Sequence, residues 1–348
     1  MAIIDGDQVV AIHTNRGVPV TQFLAEDQVS MRWTRTLRET SRCELAIAGI
    51  IGEQLPALQP GLHWVSVWST TNDREPLWRG VVHDCTARRS GVTITAFDVS
   101  WWTTRTRVPL SKRWEAEDPA LIAAEMWSAM IELNQFNIHP VVRTDPWGDR
   151  FAYRVTADEK MLDSVIADLV AKGLRWSVVA GTPVLGPASL TSIAALGEND
   201  FLGAGLSVVR SAAMVFNDVL LRAGDAVSRA RADMAGLNLQ TIVTADSVFG
   251  VSNADKETRQ YVRHTGKMRD ALILDDGTVL HPDAPVGINQ LVPSARLTVT
   301  AFGLPTTMEL TNVTVTVSSD QSTVAVSAES INDELPELLD TRAKGGEM

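Results

Sequence analysis

The sequence predicts a mainly β protein with an α+β insert: two β-barrel-like domains flanking a small α+β domain. Three observations carry this reading. Apolar and polar residues alternate with a period of two in short runs up to about residue 108. Two helix signatures follow, at 118–133 and 156–173. Alternation then returns between residues 206 and 328. A period of two buries one face of a strand, and a period near 3.6 buries one stripe of a helix, so the change of period marks a change of domain class.

In the first region, residues 9–13 read as a short strand. Val29, Met31 and Trp33 alternate with Ser30, Arg32 and Thr34, and Cys43, Leu45 and Ile47 continue after a turn at 39–41. Residues 62–68 (LHWVSVW) are rich in Trp and Val, which fit a pleated, half-buried surface. The stretch that organises the chain is 76–108, PLWRGVVHDCTARRSGVTITAFDVSWWTTRTRV, which predicts a hairpin. Val81 and Val82 open its first strand, residues 88–91 make the turn, and Val92, Ile94 and Ala96 share a face of its second strand. Gly80 marks a bulge or a close backbone approach, and Asp98 ends the second strand.

In the second region, Asp118 followed by Pro119 is an N-cap with proline at the first helical position. Ile122, Met126, Met130 and Leu133 recur at helical spacing, flanked by Ala123, Trp127 and Ile131. A second helix is expected from Thr156, with Glu159 completing a capping box. Its stripe is Leu162, Val165, Ile166, Leu169 and Val170, Lys172 lies in its last turn, and Gly173 ends it. Residues 174–179 (LRWSVV) then form a strand, and 181–183 turn into a return strand. Residues 111–189 are therefore the α+β core of the insert.

The third region returns to strands at 206–221, 272–274, 296–301, 308–317 and 323–328, while 228–260 is polar, mixed and unassigned. From residue 332 the chain is acidic and then glycine-bearing (NDELPELLDTRAKGGEM), the composition of a frayed tail. The expected division is 1–110, 111–205 and 206–331, with 332–348 as the tail.

Composition narrows the function. Of 348 residues, 45% are hydrophobic and 21% charged, as in globular proteins with full cores. The net charge of −11 disfavours long-range attraction to nucleic acid or anionic membranes. The opening residues, MAIIDGDQVVAIH, carry no basic region followed by an apolar core, so no signal peptide is expected. Uncharged residues run from Trp176 to Gly197 but include Pro183, Pro187, Gly181 and Gly186, so no membrane insertion is expected. Cys43 and Cys85 make no disulfide framework and no Cys-x-x-Cys.

The six histidines, at 13, 63, 83, 139, 264 and 281, fall in no metal-ligand spacing, so no metal and no cofactor are expected. His83, Asp84 and Cys85 are adjacent, but consecutive strand residues face opposite ways, which makes them ordinary strand positions rather than a nucleophile cluster. Phosphate-binding, dinucleotide and hydrolase motifs are absent, and the acidic pairs Glu115/Glu117 and Asp275/Asp276 read as solvated surface. No catalytic residue is assigned. Ten Trp stand against two Tyr. Trp64, Trp68, Trp78, Trp101 and Trp102 cluster in the first region, where core or subunit interface is favoured over a sugar-stacking platform.

Laid out in this order, the chain resembles the tail hub, or minor tail, proteins of long-tailed phages, the Gp37-like siphovirus tail proteins among them. VSMRWTRTLRETSRCELAIAG is similar to that family's opening hairpin. PLWRGVV followed by VTITAFDVSWWTTRTRV follows its hairpin pattern through Trp78, Gly80, Val82, Val92, Ile94, Ala96, Asp98, Trp102 and Arg105. LVAKGLRWSVVAGTPVL, with Gly173 and Trp176, resembles its helix-to-strand insert. VFNDVLLRAGD, with Asn217, resembles the strand opening its second barrel. Residues 228–260 depart from the pattern.

The resemblance implies a structural virion protein at the distal tail tip: a baseplate hub ring built as a homotrimer, with two barrels per chain matching a sixfold tube. It implies a distal tail protein ring, other tail-tip proteins and the tape measure protein as partners. Phage DNA would pass the bore without specific binding, and any lytic or receptor-binding activity is expected on another chain. A carbohydrate- or receptor-binding tail module is the alternative reading, and a tail-associated cell-wall hydrolase a more distant one.

Overall fold

The structure is a computed structural model. It describes residues 3–4, 7–24, 29–48, 58–71, 74–146, 148, 150–210, 215–223, 226–244, 254–255, 258–259, 261–262, 265–266, 270–318 and 322–331. The acidic stretch 332–348, read above as a frayed tail, lies outside the described residues. The chain forms two compact units, one of Met1–Leu206 with Leu274–Glu329 and one built on Ser207–Ile273.

The first unit is organised by a large, curled, half-barrel sheet of 13 strands. Its first seven strands are β1 (Gln8–Thr14), β2 (Pro19–Leu24), β3 (Val29–Thr36), β4 (Arg42–Ala48), β5 (His63–Ser69), β6 (Trp78–Arg88) and β7 (Gly91–Phe97). They run in the order β3-β4-β7-β6-β5-β1-β2, all antiparallel. The register explains why the alternation was legible. Cys43 lies opposite Ala96, Leu45 opposite Ile94 and Ile47 opposite Val92, and all six are buried. Opposed residues in an antiparallel pair share a face, so one slip of register would turn this whole set to solvent.

The insert follows. It consists of β8 (Lys112–Glu117), α1 (Pro119–Leu133), β9 (Val141–Val142), β10 (Phe151–Val155), α2 (Leu162–Val170), β11 (Trp176–Val179) and β12 (Thr182–Leu185). Helix α1 starts as read: Asp118 accepts from the Ala120 N–H at 2.8 Å, and Pro119 is the first helical residue. Helix α2 begins later than expected. No side chain caps it, and Met161 rather than Thr156 precedes it. The backbone just before it is spent elsewhere: Lys160 O accepts from Val108 N, Asp158 N donates to Val108 O, and Leu162 N donates to Thr106 O. Those bonds hold a turn at 157–158, where Asp158 takes φ +61°, and the helix starts only at Leu162, so the Thr156–Glu159 capping box does not form. The apolar stripe is correct nonetheless, with Leu162, Val165, Ile166 and Leu169 buried against α1 and β11. Lys172 falls beyond the helix, its Nζ 5.2 Å from the Phe151 ring.

After the insert come β13 (Ser192–Gly197), β14 (Phe201–Leu202) and β15 (Leu206–Arg210), then β16 (Asp218–Ala223), β17 (Ala226–Arg231), β18 (Gln240–Thr244) and β19 (Asp270–Leu274). The last strands are β20 (Thr278–Leu280), β21 (Arg296–Ala301), β22 (Leu304–Val317) and β23 (Ser322–Ser330). These return to the large sheet. β22 pairs β3 directly, with Val313, Val315 and Val317 opposite Arg35, Trp33 and Met31. The two strand-rich ends of the sequence therefore share one sheet. β22 makes this possible because its 14 residues reach from β21 at one end to β3 at the other. β13 and β14 also belong to that sheet, through β21 and β20.

The second unit holds a three-stranded sheet in the order β17-β16-β18. One face, with Val219, Leu221 and Val243, packs on Ala254 and Val262. Two of its strands, β17 and β18, lie within 228–260 and its immediate border, the stretch whose sequence carried no clear pattern.

Candidate functional site

The hairpin β6–β7 and the 3₁₀ helix after it (Val99–Arg105) form the best-supported site, an aromatic junction between the large sheet and the insert. Gly80 is there because nothing larger fits: a Cβ would come 2.2 Å from the Phe97 carbonyl oxygen and 2.4 Å from the Trp78 ring. Trp78 is buried and donates from Nε1 to the Thr34 carbonyl at 3.1 Å, so the hairpin is pinned to β3. Between Val82 and Asp84 the register shifts, a bulge that leaves Val81 and Val82 both buried. The bulge resets the alternation read for His83, Asp84 and Cys85. His83 stacks edge-on against Phe97 and Trp101 at 4.9 and 5.5 Å, and Cys85 lies opposite Ile94.

Asp98 turns the chain. Its carboxylate, 1% exposed, accepts from Ser41 N at 2.7 Å and Ser100 N at 2.8 Å, while its own N–H donates to Ser41 O. Burial pushes its pKa up to about 6, against the hydrogen bonds from Ser100 and Ser41 that pull it down. The 3₁₀ helix it caps presents Trp101 and Trp102 to the insert. Their rings meet at 5.2 Å, Trp102 meets Phe136 at 5.4 Å, and Phe136 meets Trp64 at 5.4 Å. Arg105 lies over Trp101, and Arg79 over Trp64, each at 5.2 Å. Edge-to-face rings and capping guanidinium groups each add about 0.5–1.5 kcal/mol beyond the area buried. Among the described residues no Trp is exposed, so the sugar-stacking platform has no open face there.

The other residues singled out by resemblance are placed as follows. Gly173 adopts φ +93° just after α2, a conformation that only glycine takes without strain. Trp176 is 7% exposed; its carbonyl accepts from Arg38 N at 2.8 Å and its ring lies 5.9 Å from Trp127. Val92, Ile94 and Ala96 form the buried face of β7, and Val82 is fully buried. Asn217 lies in the second unit. It is fully buried, donates to Ala232 O and Leu237 O at 2.9 Å, and accepts from Leu239 N at 2.7 Å, clamping the 232–239 loop. Trp102 and Trp176 thus pack in the core of the insert with Trp64 and Val81; Val92, Ile94 and Ala96 lie on the buried face of β7 opposite β4; and Asn217 belongs to the second unit.

Two polar groups escaped the sequence. Arg35, on a strand face otherwise apolar, is 1% exposed and meets no carboxylate among the described residues. It donates to Ile288 O, Leu291 O and Leu77 O at 2.7, 3.0 and 2.8 Å, and burial brings its pKa down to about 10. The alternation of β3 put it on the inner face, but only the loops over that face supply its acceptors. His13 and Ser66 form a 2.7 Å hydrogen bond of nucleophile–base geometry. The other His13 nitrogen lies 2.7 Å from the Thr14 carbonyl rather than a carboxylate, and Ser66 is 1% exposed. A substrate carbonyl cannot reach that hydroxyl. No cluster of three metal-ligating side chains occurs among the described residues.

No protein-family model matches the chain, and no curated protein matches it in sequence. Solved structures do match its fold. The 43 kDa tail protein of prophage MuSo2 from Shewanella oneidensis superposes with a TM-score of 0.61 at 14% identity, covering 93% of this chain and 97% of its own. A tail protein from Neisseria meningitidis gives 0.55 at 13% identity, over 92% and 96%. The PdpA–VgrG complex of Francisella, in its lidless form, gives 0.52 at 6% identity, over 95% of this chain and 66% of that one. The chain therefore has the fold of prophage tail proteins, as the resemblance in its sequence led one to expect.

Proposed function

We propose that this chain is a structural protein of a phage tail, acting in the hub ring at the distal end of the tail tube. The observation that carries the reading is the shared fold, which runs across nearly the full length of both this chain and the Shewanella tail protein. In this reading residues 1–110 and 206–331 supply two barrel-like walls, with 111–205 as the insert; of the second wall, residues 274–329 join the large sheet through β22 and β3. The hairpin motif, Trp78, Gly80, Val82, Val92, Ile94, Ala96, Asp98, Trp102 and Arg105, shapes the wall. Gly173, Trp176 and Asn217 fix the elements that follow.

Three copies around an axis present six similar walls to a sixfold tube, and closed rotational symmetry satisfies every interface. Each contact should exceed the roughly 1,000 Å² of a specific interface. The neighbours are the distal tail protein ring, other tail-tip proteins and the tape measure protein. DNA passes without specific binding, which suits a chain of net charge −11 because like charge keeps a polyanion sliding. In this reading the chain plays a structural part rather than a catalytic one, and the burial of the Ser66–His13 pair supports it.

Cryo-EM of virions that carry this chain tests the proposal. Three copies at the distal end of the tube are expected. A single copy, or a place on the capsid or on peripheral fibres, defeats it.

A further inference from the structure

One side chain of the first unit is strained and exposed at once. β21 and β22 form a hairpin in which Ala301 pairs with Leu304, so Phe302 and Gly303 alone make the turn. Both have positive φ, +53° and +76°, as in the two-residue turn where Asn-Gly is the usual sequence. A phenylalanine in that conformation brings its Cβ close to the following carbonyl oxygen, which is a strain. The turn is also held in place, because the Phe302 N–H donates to the Glu198 carboxylate. The ring gains little burial in return. Phe302 is 57% exposed, and no other Trp, Tyr or Phe among the described residues is exposed. A fixed turn that presents an aromatic ring to solvent has the form of an interface anchor. Glu198 beside it is exposed and meets no cation among the described residues.

A surface that receives this turn must be apolar and must carry positive charge. A lipid surface fits poorly, because the carboxylate bonded to the turn would be drawn toward the apolar layer with the ring. The chain itself offers a surface of the right kind. Trp101, Trp102 and Phe136 are half-buried and packed edge to face, at 5.2 and 5.4 Å, and a further ring can extend such a row. Arg105 stands over Trp101 at 5.2 Å, is exposed, and meets no carboxylate among the described residues. We propose that Phe302 of one copy packs against the Trp101–Trp102–Phe136 row of a second copy, with Glu198 of the first paired to Arg105 of the second. Aromatic rings and arginine are the residues enriched at protein interfaces. All six residues belong to the first unit. Turn and row are different surfaces, so the contact is head-to-tail, and its repetition can close a ring. The inference deepens the ring of the proposed function and rests on that reading for closure, though not for the contact itself.

The test uses the full chain. Sedimentation velocity across a wide range of concentration should show reversible self-association, weakened about tenfold or more by Phe302→Asn. The melting temperature of that variant, compared with the parent where both are monomeric, should rise by about 1–2 °C, because asparagine tolerates the turn. A ring that served only its own fold would give a lower value. Glu198→Arg and Arg105→Glu should each weaken association, and the two together should restore most of it. No self-association, association indifferent to Phe302→Asn, a lowered melting temperature in that variant, or charge reversals that do not rescue each other overturns the proposal. Phe302-dependent binding to vesicles of phosphatidylcholine and phosphatidylglycerol, without self-association, also overturns it, in favour of a lipid surface. Failure of the contact is separable from failure of the tail reading: virions with three copies at the tail tip and Phe302 turned away from the neighbouring copy refute the contact alone.

Discussion

The large sheet and the small one use the same alternation to different ends. In β7, Ile94 is 1% exposed; in β18, Ile242 is 62% exposed. In β3, Arg35 is sealed under loops that offer it three carbonyls, whereas in β17 Arg229 lies on an open face and holds one aspartate. A period of two says which residues share a face. Whether that face is covered depends on what the rest of the chain brings to it. In the first unit the loop at 288–291 arrives over Arg35 on the inner face; in the second, one face of β16–β18 is covered and the other carries its arginines outward.

The sharpest way to break this comparison is to put the same charge in both sheets. Ile94→Asp places an unpartnered carboxylate in an apolar site and should cost about 4 kcal/mol or more, enough to abolish soluble, cooperatively folding protein. Ile242→Asp should change stability by less than about 0.5 kcal/mol. Denaturant melts of the two variants decide it, and a well-folded Ile94→Asp chain would remove β7 from the core.

Arg35→Met comes next. It is close in size, but it strands the carbonyls of Leu77, Ile288 and Leu291. A loss of about 3 kcal/mol is expected, with faster hydrogen exchange around residues 288–291. Arg229→Met should cost less, and its effect should shrink in salt, because that arginine is exposed.

Asp98 gives a pH signature. Its pKa is about 6 when folded, above its ordinary value of 3.8, so the folded chain holds a proton that the unfolded chain releases between these pH values. Stability from this group is therefore greatest below pH 4 and declines as pH rises through 6, by at most roughly 3 kcal/mol. Thermal melts from pH 4 to 7 should show that slope in the parent and lose it in Asp98→Asn.

The smallest effect belongs to the second unit. Asn217→Ala removes three hydrogen bonds and leaves the 232–239 loop without its clamp. About 2 kcal/mol is expected, local to that unit. Exchange should quicken at 232–239 and stay unchanged at 92–96; equal quickening at both would mean that the two units unfold together.

How much could be read in advance follows from the same physics. Hairpin β6–β7, its turn and the cap of α1 were legible because each depends on neighbours within a few residues: Val92, Ile94 and Ala96 on one face, Asp118 on the Ala120 N–H. The start of α2 was misread because Thr106 and Val108, some fifty residues upstream, bond the backbone of Asp158, Lys160 and Leu162 and hold a turn where the first helical turn was expected. β14 and β20 were missed because they are two and three residues long, and β13 because its six residues show no clean alternation; each gains its place by pairing, with β20, β23 and β21 respectively.

The sequence by itself determined the β-rich ends, the helical stripes, the acidic charge and the places where only glycine serves, because period, capping and backbone conformation are local properties. The tertiary structure alone decided that both ends join one sheet through β3 and β22, that Arg35 is buried against three backbone carbonyls, and that the arginines of β16 and β17 stay outside. Strand pairing and burial are set by segments far apart in the chain, and no single stretch of sequence records which partner will cover it.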